Sequence, residues 1–196
     1  MDAFAAIDAG DIDGLRALLA ADPSAAARRN DTGLSAVLAA QYRHQPDAVR
    51  AILDAEPPLD VFDAAAVGAT DRLAALLDAD PSLVNAFAPD GHYPLGLACY
   101  FSQPDAVALL LERGADVTQV ARNDMQVQAL HAAVAGRNAN TVRLLLEAGA
   151  DPNAVQHGGW TPLAQAEHHG DPELISLLLA AGAQPAPPSG NRPTTS

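Results

Sequence analysis

Histidine is the residue type in this chain that is best suited to acid–base catalysis or metal binding. His168 and His169 are adjacent in the sequence, and His157 lies eleven residues before the first of them. Neighbouring residues on a helix point about 100° apart, so the two rings are poorly placed to bind the same metal ion. A zinc site needs three or four converging ligands. We therefore predict no metal site and favour contact with a partner as the role of the pair.

Other motifs of catalysis or cofactor binding do not occur in the sequence. It contains neither of the phosphate-loop patterns GxxxxGK[ST] and GxGxxG, and it has no GxSxG nucleophile elbow. Cys99 is the single cysteine, and we interpret it as packing within a helix. Most acidic residues fall at predicted helix starts, where capping explains them. The sequence thus predicts no catalytic residues and no cofactor.

Two short phrases recur along the second half of the chain. The first reads LLLERGADV, LLLEAGADP and LLLAAGAQP, starting at Leu109, Leu144 and Leu177. The second lies upstream of each copy and reads YPLG at 93–96, QALH at 128–131 and TPLA at 161–164. The two phrases keep the same spacing from copy to copy. A nearly constant period of about 33 residues indicates a stack of repeats.

Each repeat contains the signals of two short helices. In the last repeat, Thr161 is a predicted helix cap and Pro162 suits the first helical position, where its missing N–H costs nothing. Asp171 is the predicted cap of the second helix, and three leucines fill that helix. Gly182 follows at the place where a left-handed residue ends a helix.

Weaker copies of the pattern extend to the N-terminus. If the leucine of each second phrase is the reference position, its equivalents in the first half of the chain are Phe4, Val37 and Phe62. The period is kept from Phe4 to Val37 and is shortened from Val37 to Phe62. The predicted helical pairs span 2–22, 33–54, 60–79, 93–113, 128–148 and 161–181.

A longer duplication overlies these copies. Gln-Pro-Asp-Ala-Val occurs at 45–49 and again at 103–107, and Ala-Asp-Pro-Ser occurs at 21–24 and again at 79–82. Both phrases are displaced by the same distance, which is also the distance from Phe4 to Phe62. Repeats one and two therefore look like a duplicate of repeats three and four.

The shortened step between repeats two and three leaves no room for the usual hairpin. The short connection contains residues 56–60, with the sequence EPPLD. We favour the loss of a hairpin by deletion over a gap kept for a partner.

The two phrases resemble those of the ankyrin repeat, and the resemblance covers almost everything from Phe4 to Ala183. It implies an all-α fold, an α-solenoid of about six stacked helix-loop-helix repeats with short β-hairpin-like loops. In that family the histidine equivalent to His131 makes structural hydrogen bonds between repeats. The predicted repeat domain covers 1–183, with repeats near 2–30, 31–59, 60–88, 89–122, 123–155 and 156–183. Residues 184–196 are rich in proline and are predicted to form a disordered tail.

The resemblance also implies where a partner binds, because hairpin tips and first helices line the concave face of such solenoids. Four of the eight aromatic residues fall at the few variable positions there, and tyrosine, tryptophan and arginine dominate binding hot spots. For Phe101 and Trp160, packing against a neighbouring repeat is an equal alternative. The candidate partner-binding residues are Tyr42, Arg43, His92, Tyr100, Phe101, Trp160, His168 and His169.

The composition restricts the partners and the compartment. A net charge of −13 argues against nucleic acid and anionic membranes as partners. It allows a basic partner, although solubility explains the charge equally well. No apolar stretch is long enough to span a bilayer, and the N-terminus lacks the basic start of a signal peptide. One unpaired cysteine suits the cytoplasm, and we expect a monomer there.

Three functions remain open at this point. The first is a protein-interaction module, an intracellular adaptor or modulator that binds a partner protein on its concave face. The second is an accessory or immunity-type subunit of a complex encoded in one operon. The third is an enzyme that uses histidines of a concave pocket as acid–base groups. Because no converged polar triad is recognisable in the sequence, we expect that the chain is not an enzyme.

Overall fold

The computed structural model describes residues 2–185 of the chain, and twelve α-helices follow one another there in six packed pairs. The pairs are α1 (Ala3–Ala9) with α2 (Ile12–Ala21), α3 (Ala36–Tyr42) with α4 (Pro46–Asp54), α5 (Val61–Val67) with α6 (Thr70–Ala79), α7 (Pro94–Tyr100) with α8 (Pro104–Glu112), α9 (Ala129–Ala135) with α10 (Ala139–Glu147), and α11 (Pro162–His168) with α12 (Pro172–Ala180). The predicted helix-loop-helix solenoid is thereby confirmed. We number the repeats 1 to 6 by these pairs.

The residues that were predicted to begin and end the helices of the last repeat do so in the structure. The hydroxyl of Thr161 accepts a hydrogen bond from the amide of Ala164, and Pro162 is the first residue of α11. The carboxylate of Asp171 caps α12 in the same way. Gly182 follows α12 with a φ of 92°, in the left-handed region that glycine tolerates without strain.

Hairpin-like loops precede four of the first helices. Single β-bridges pair Arg29 with Ser35, Val120 with Gln128, and Gln156 with Trp160. A fourth loop, at 86–93, is closed by a hydrogen bond from the amide of Ala88 to the carbonyl of His92. Within residues 2–185 these bridges do not extend into strands. Between α4 and α5 the chain has only residues 55–60, so repeat 3 has no hairpin of its own.

The helices lie in two layers. The first helices of successive repeats pack against one another from α1 to α11. The second helices pack as α2 on α4, α6 on α8, α8 on α10 and α10 on α12, whereas α4 and α6 barely touch. The layer of second helices is therefore interrupted at the short step between repeats 2 and 3.

The duplicated sequence segments fold alike. A short 3₁₀ turn follows α2 at Pro23–Ala27, and another follows α6 at Pro81–Asn85, the equivalent place in the second copy. Asp22 caps the first turn through the amide of Ser24, and the aspartate before the second turn does the same. The repeated Ala-Asp-Pro-Ser phrase thus encodes a capped turn.

Buried alanine, leucine and valine side chains fill the space between the layers. Cys99 lies among them on α7 and is fully buried, as the sequence predicted. Burial in this apolar surrounding raises the pKa of its thiol well above the ordinary value.

Candidate functional site

Tyr42, at the end of α3, has its ring among aromatic side chains of repeat 4. Its hydroxyl donates a 2.8 Å hydrogen bond to the carboxylate of Asp90. Its ring centroid lies 5.5 Å from that of Phe101 and 6.0 Å from that of His92. Burial, and then the charge of Asp90, raises the pKa of Tyr42, so the hydroxyl stays a proton donor. Tyr42 is thus half-buried and links repeats 2 and 4.

Tyr100 extends this group of rings towards solvent. Its ring meets that of Phe101 edge to face at 5.0 Å, and the ring of His44 lies 6.5 Å away. Tyr100 is 38% exposed, whereas Phe101 is partly buried against an apolar cluster that includes Leu38. Phe101 therefore packs within the fold and also borders the exposed surface. We call Tyr42, His44, His92, Tyr100 and Phe101 the aromatic patch.

His92 connects the aromatic patch to the next hairpin. Its Nε2 lies 3.2 Å from the side-chain nitrogen of Asn123. The amide of Arg122 donates to the carbonyl of Gly91 at 2.8 Å, and the Arg122 guanidinium stacks on the ring of Phe87 at 3.8 Å. These contacts hold the 86–93 hairpin against the 120–128 hairpin and fix where His92 lies.

Arg43 lies outside the aromatic patch. Its guanidinium pairs with the carboxylate of Asp8 in repeat 1. Both side chains are about half exposed to solvent, so the pair contributes little to stability. Arg43 keeps part of its surface available while its charge is partly neutralised within the chain.

Trp160, His168 and His169 form a second group at the last repeat, which we call the C-terminal patch. The rings of Trp160 and His168 meet at 5.5 Å with an interplanar angle of 75°, and the two histidine rings are 6.0 Å apart. Trp160 is 38% exposed, while His169 is half-buried. The structure therefore divides the eight predicted residues into two patches and the separate Arg43.

The predicted role of His131 in linking repeats is confirmed. The side chain is buried, and its Nε2 lies 3.1 Å from the carbonyl oxygen of Trp160 in the following hairpin. A hydrogen bond at that nitrogen requires the tautomer that carries the proton there. Burial lowers the pKa of His131, which keeps the ring neutral.

Repeat 3 places a carboxylate where repeat 5 has His131. Asp63 is buried, and it accepts a hydrogen bond from the hydroxyl of Ser35 in the preceding hairpin. Arg29 lies 3.5 Å from its other oxygen. Burial, together with the charge of Asp60, raises the pKa of Asp63 to about 6. Asp63 therefore ties repeat 3 back to repeat 2, a role that sequence reasoning did not assign.

In repeat 4, a tyrosine side chain makes the hydrogen bond that links this repeat to its neighbour. The Tyr93 ring covers Gly96, where a Cβ atom would lie 3.1 Å from the ring. Its hydroxyl donates a 2.7 Å hydrogen bond to the carbonyl of Gln119, before the next hairpin. Gly96 stands at the position of His131, and Tyr93 stands at the position of Thr161. This combination is a sequence signal that could have revealed the link.

A small cavity lies beside the aromatic patch. This cavity of about 10 Å³ lies between the 29–35 and 86–93 hairpins, beside Leu34, Phe62 and Pro89, and holds about one water molecule. Among residues 2–185, histidine, cysteine, aspartate and glutamate form no group of three that could hold a metal ion. In the same part of the chain, none of the helices is both long and apolar enough to cross a bilayer.

Comparison with known proteins identifies the repeats. The family model described as ankyrin repeats (3 copies) matches residues 61–156 and 123–189, together more than half of the chain. A putative ankyrin repeat-containing protein of Treponema pallidum (strain Nichols) is 36% identical over 123 residues, which is 58% of this chain and 41% of that protein. Ankyrin repeat and SAM domain-containing protein 6 of Rattus norvegicus is 31% identical over 137 residues, or 69% of this chain and 15% of the relative.

The mouse (Mus musculus) ankyrin repeat and SOCS box protein 16 is 39% identical over 105 residues, half of this chain and 23% of that protein. The chain thus spans less than half the length of these curated relatives. The matched residues include α5 to α12, the helical pairs of repeats 3 to 6, and this chain belongs to the ankyrin-repeat family.

Proposed function

We propose that this chain is an adaptor or modulator that binds a partner protein through the aromatic patch, Arg43 and the C-terminal patch. Ankyrin repeats are generally protein–protein interaction modules. In this proposal the two patches belong to the concave face, and binding, not chemistry, is what the chain contributes. We place its action in the cytoplasm, which suits the single unpaired cysteine.

The observation that carries the proposal is the convergence of rings from two repeats. Tyr42 comes from repeat 2, whereas Tyr100 and Phe101 come from repeat 4. The ring centroid of Phe101 lies 5.5 Å from that of Tyr42 and 5.0 Å from that of Tyr100, so the three rings are in contact. Aromatic side chains that are already held in place lose little conformational freedom on binding. The exposed ring of Tyr100 is the natural anchor of such a surface.

The distribution of charge supports a partner with a basic surface. The chain has 24 acidic and 11 basic residues. Six of the arginines, at positions 16, 28, 29, 43, 113 and 137, pair with carboxylates of the same chain. Acidic side chains therefore dominate the charge of the surface that a partner approaches. A basic surface on the partner would speed association.

The test is affinity capture from the native host with the full chain as bait, followed by binding measurements with the purified captured protein. Tyr100→Ala and His169→Ala are the test variants. Leu179→Ala is the matched control, because Leu179 is 45% exposed but lies on α12, in the layer of second helices. We expect both test variants to bind at least about tenfold more weakly, as for hot-spot residues, with an unchanged melting temperature.

Equal binding by wild type, both test variants and the control would rule out these patches as the binding surface. A large fall in melting temperature without a specific binding defect would assign the two residues to packing. Catalytic turnover of small molecules by the purified chain, with no retained partner, would instead favour an enzyme.

A further inference from the structure

We propose that repeats 1 and 2 open as a unit of their own, separately from repeats 3 to 6, and that the solenoid parts between α4 and α5. This conformational division goes beyond partner binding and does not depend on it. Three observations carry it: the division of the core, the interrupted layer of second helices, and the small size of the apolar cluster that crosses the boundary.

The buried core is divided at this boundary. One cluster of buried side chains belongs to α1–α4 and their loops and contains Ile7, Leu15 and Ile52. A larger one belongs to repeats 3 to 6 and contains Leu110 and Leu145 among many others. The two clusters share no buried residue, although the partly buried Leu59 packs against both and Val67 of α5 packs against the first. Hydrophobic burial therefore stabilises each unit mainly from within.

The layer of second helices is also interrupted there. Neighbouring second helices pack against each other in the rest of the stack, but α4 and α6 barely touch. Residues 55–60 replace the turn and hairpin that separate the other repeats. In a solenoid, each repeat is stabilised by its own fold and by the interface with its neighbour. At the interface between repeats 2 and 3, the packing of the first helices, α3 on α5, is kept, whereas the packing of the second helices is reduced.

The contacts that cross the boundary are a few polar bonds and a small apolar cluster. Arg29 pairs with Asp60 at 2.7 Å, and Ser35 donates to Asp63. The Gln41 side chain donates to the carbonyl of Ala66 at 3.1 Å. A small apolar cluster also spans the boundary. Leu38, Ala66 and Leu97 are buried in it, and four partly buried side chains, among them Tyr42 and Phe101, pack against it. Polar bonds are exchanged for bonds to water when the interface opens, so their net contribution is modest.

These three features predict the order of opening. Two repeats are fewer than the three or so that a stack needs to be stable alone. Once the interface between repeats 2 and 3 opens, α1–α4 should unfold, while repeats 3 to 6 keep their larger core. Local opening of this kind has a lower free energy than global unfolding.

Hydrogen exchange of backbone amides in the full chain, followed by mass spectrometry, tests this order. We expect the slowest amides of α1–α4 to exchange at least about tenfold faster than the slowest amides of α7–α12, after correction for intrinsic rates. Equal protection of the two regions, within about twofold, would overturn the proposal, because a single cooperative unit opens all its slowest amides together.

Two matched hydroxyl deletions sharpen the test. Tyr42→Phe removes the bond to Asp90 that crosses the boundary, whereas Tyr93→Phe removes the bond to Gln119 within repeats 3 to 6. Loss of one hydrogen bond corresponds to about a fivefold change. We expect Tyr42→Phe to speed exchange about fivefold in α1–α4 only, and Tyr93→Phe to do so in α7–α12 only. A uniform change in both regions for Tyr42→Phe would overturn the division into two units.

Discussion

The hydroxyl of Tyr42 is hydrogen-bonded to the carboxylate of Asp90, 48 residues further along the chain, at 2.8 Å. The bond passes over repeat 3, which lacks a hairpin of its own, and joins α3 directly to the 86–93 hairpin. Pro89 of that hairpin lies against Gly33 of the 29–35 hairpin. The missing hairpin has therefore brought two hairpins and their aromatic side chains together, and this contact creates the aromatic patch.

The contact between the 86–93 and 120–128 hairpins depends on a glycine. Gly91 has a φ of 79°, and a Cβ atom there would lie 2.3 Å from the carbonyl oxygen of Arg122. We expect Gly91→Ala to lower the free energy of unfolding by about 2 kcal/mol more than Gly114→Ala does. Gly114 is the matched control, because its φ is 84° but nothing lies within 4 Å of its Cβ position. Urea unfolding measures the free energy of unfolding of both variants. Equal losses would mean that the two hairpins can separate without a cost in stability.

Asp63 should make stability fall as the pH rises. Its folded pKa is about 6, raised above the ordinary value of 3.8 by burial and by Asp60. The folded state therefore binds this proton more tightly than the unfolded chain, and the resulting stabilisation is present near pH 4 and lost as the pH passes 6. Asp63→Asn cannot titrate. Between pH 4.5 and 7, we expect wild type to lose about 2 kcal/mol relative to this variant.

The measurement for Asp63 is urea unfolding of wild type and variant at both pH values. Asp47→Asn is the control, because Asp47 is an exposed carboxylate in the first turn of α4. If wild type and Asp63→Asn change in parallel with pH, burial does not raise the pKa of Asp63.

His131 should act in the opposite direction. Burial lowers its pKa in the folded state, so the unfolded chain takes up this proton more readily. Its stabilising effect is then complete above the ordinary pKa of about 6.5 and declines as the pH falls below it. We expect wild type to lose stability relative to His131→Gln as the pH drops from 7 to 5. Thermal unfolding across this range measures the difference, with His44→Gln as an exposed control. No relative change would show that His131 can be protonated in place.

Cys99 should report the opening of repeats 3 to 6. The thiol is fully buried, and burial raises its pKa, so neither access nor ionisation favours reaction in the folded state. We expect a thiol reagent to label the native chain at least about a hundredfold more slowly than the urea-unfolded chain. Absorbance of the released reagent group measures the rate. Comparable rates in both states would place Cys99 at the surface.

Much of the candidate site could be located from the sequence, because repeat positions map directly onto the solenoid. Tyr42, Tyr100 and Phe101 were selected as residues at the same two positions of different repeats, and they do lie together. His44 was missed, since it lies one position beyond the variable pair. Asp63 was given no role, because its bond to Ser35 depends on how close two repeats come.

The sequence alone determined the six helical pairs and the site of the missing hairpin, because caps, prolines, glycines and leucine spacing act within a few residues. Only the tertiary structure decided what the missing hairpin does. Whether α4 reaches α6, and which hairpins meet across the gap, depends on the packing of whole repeats, and the sequence encodes no local signal for it. Tyr42 and Asp90 are partners for this reason, and the core is divided at the place where α4 and α6 barely touch.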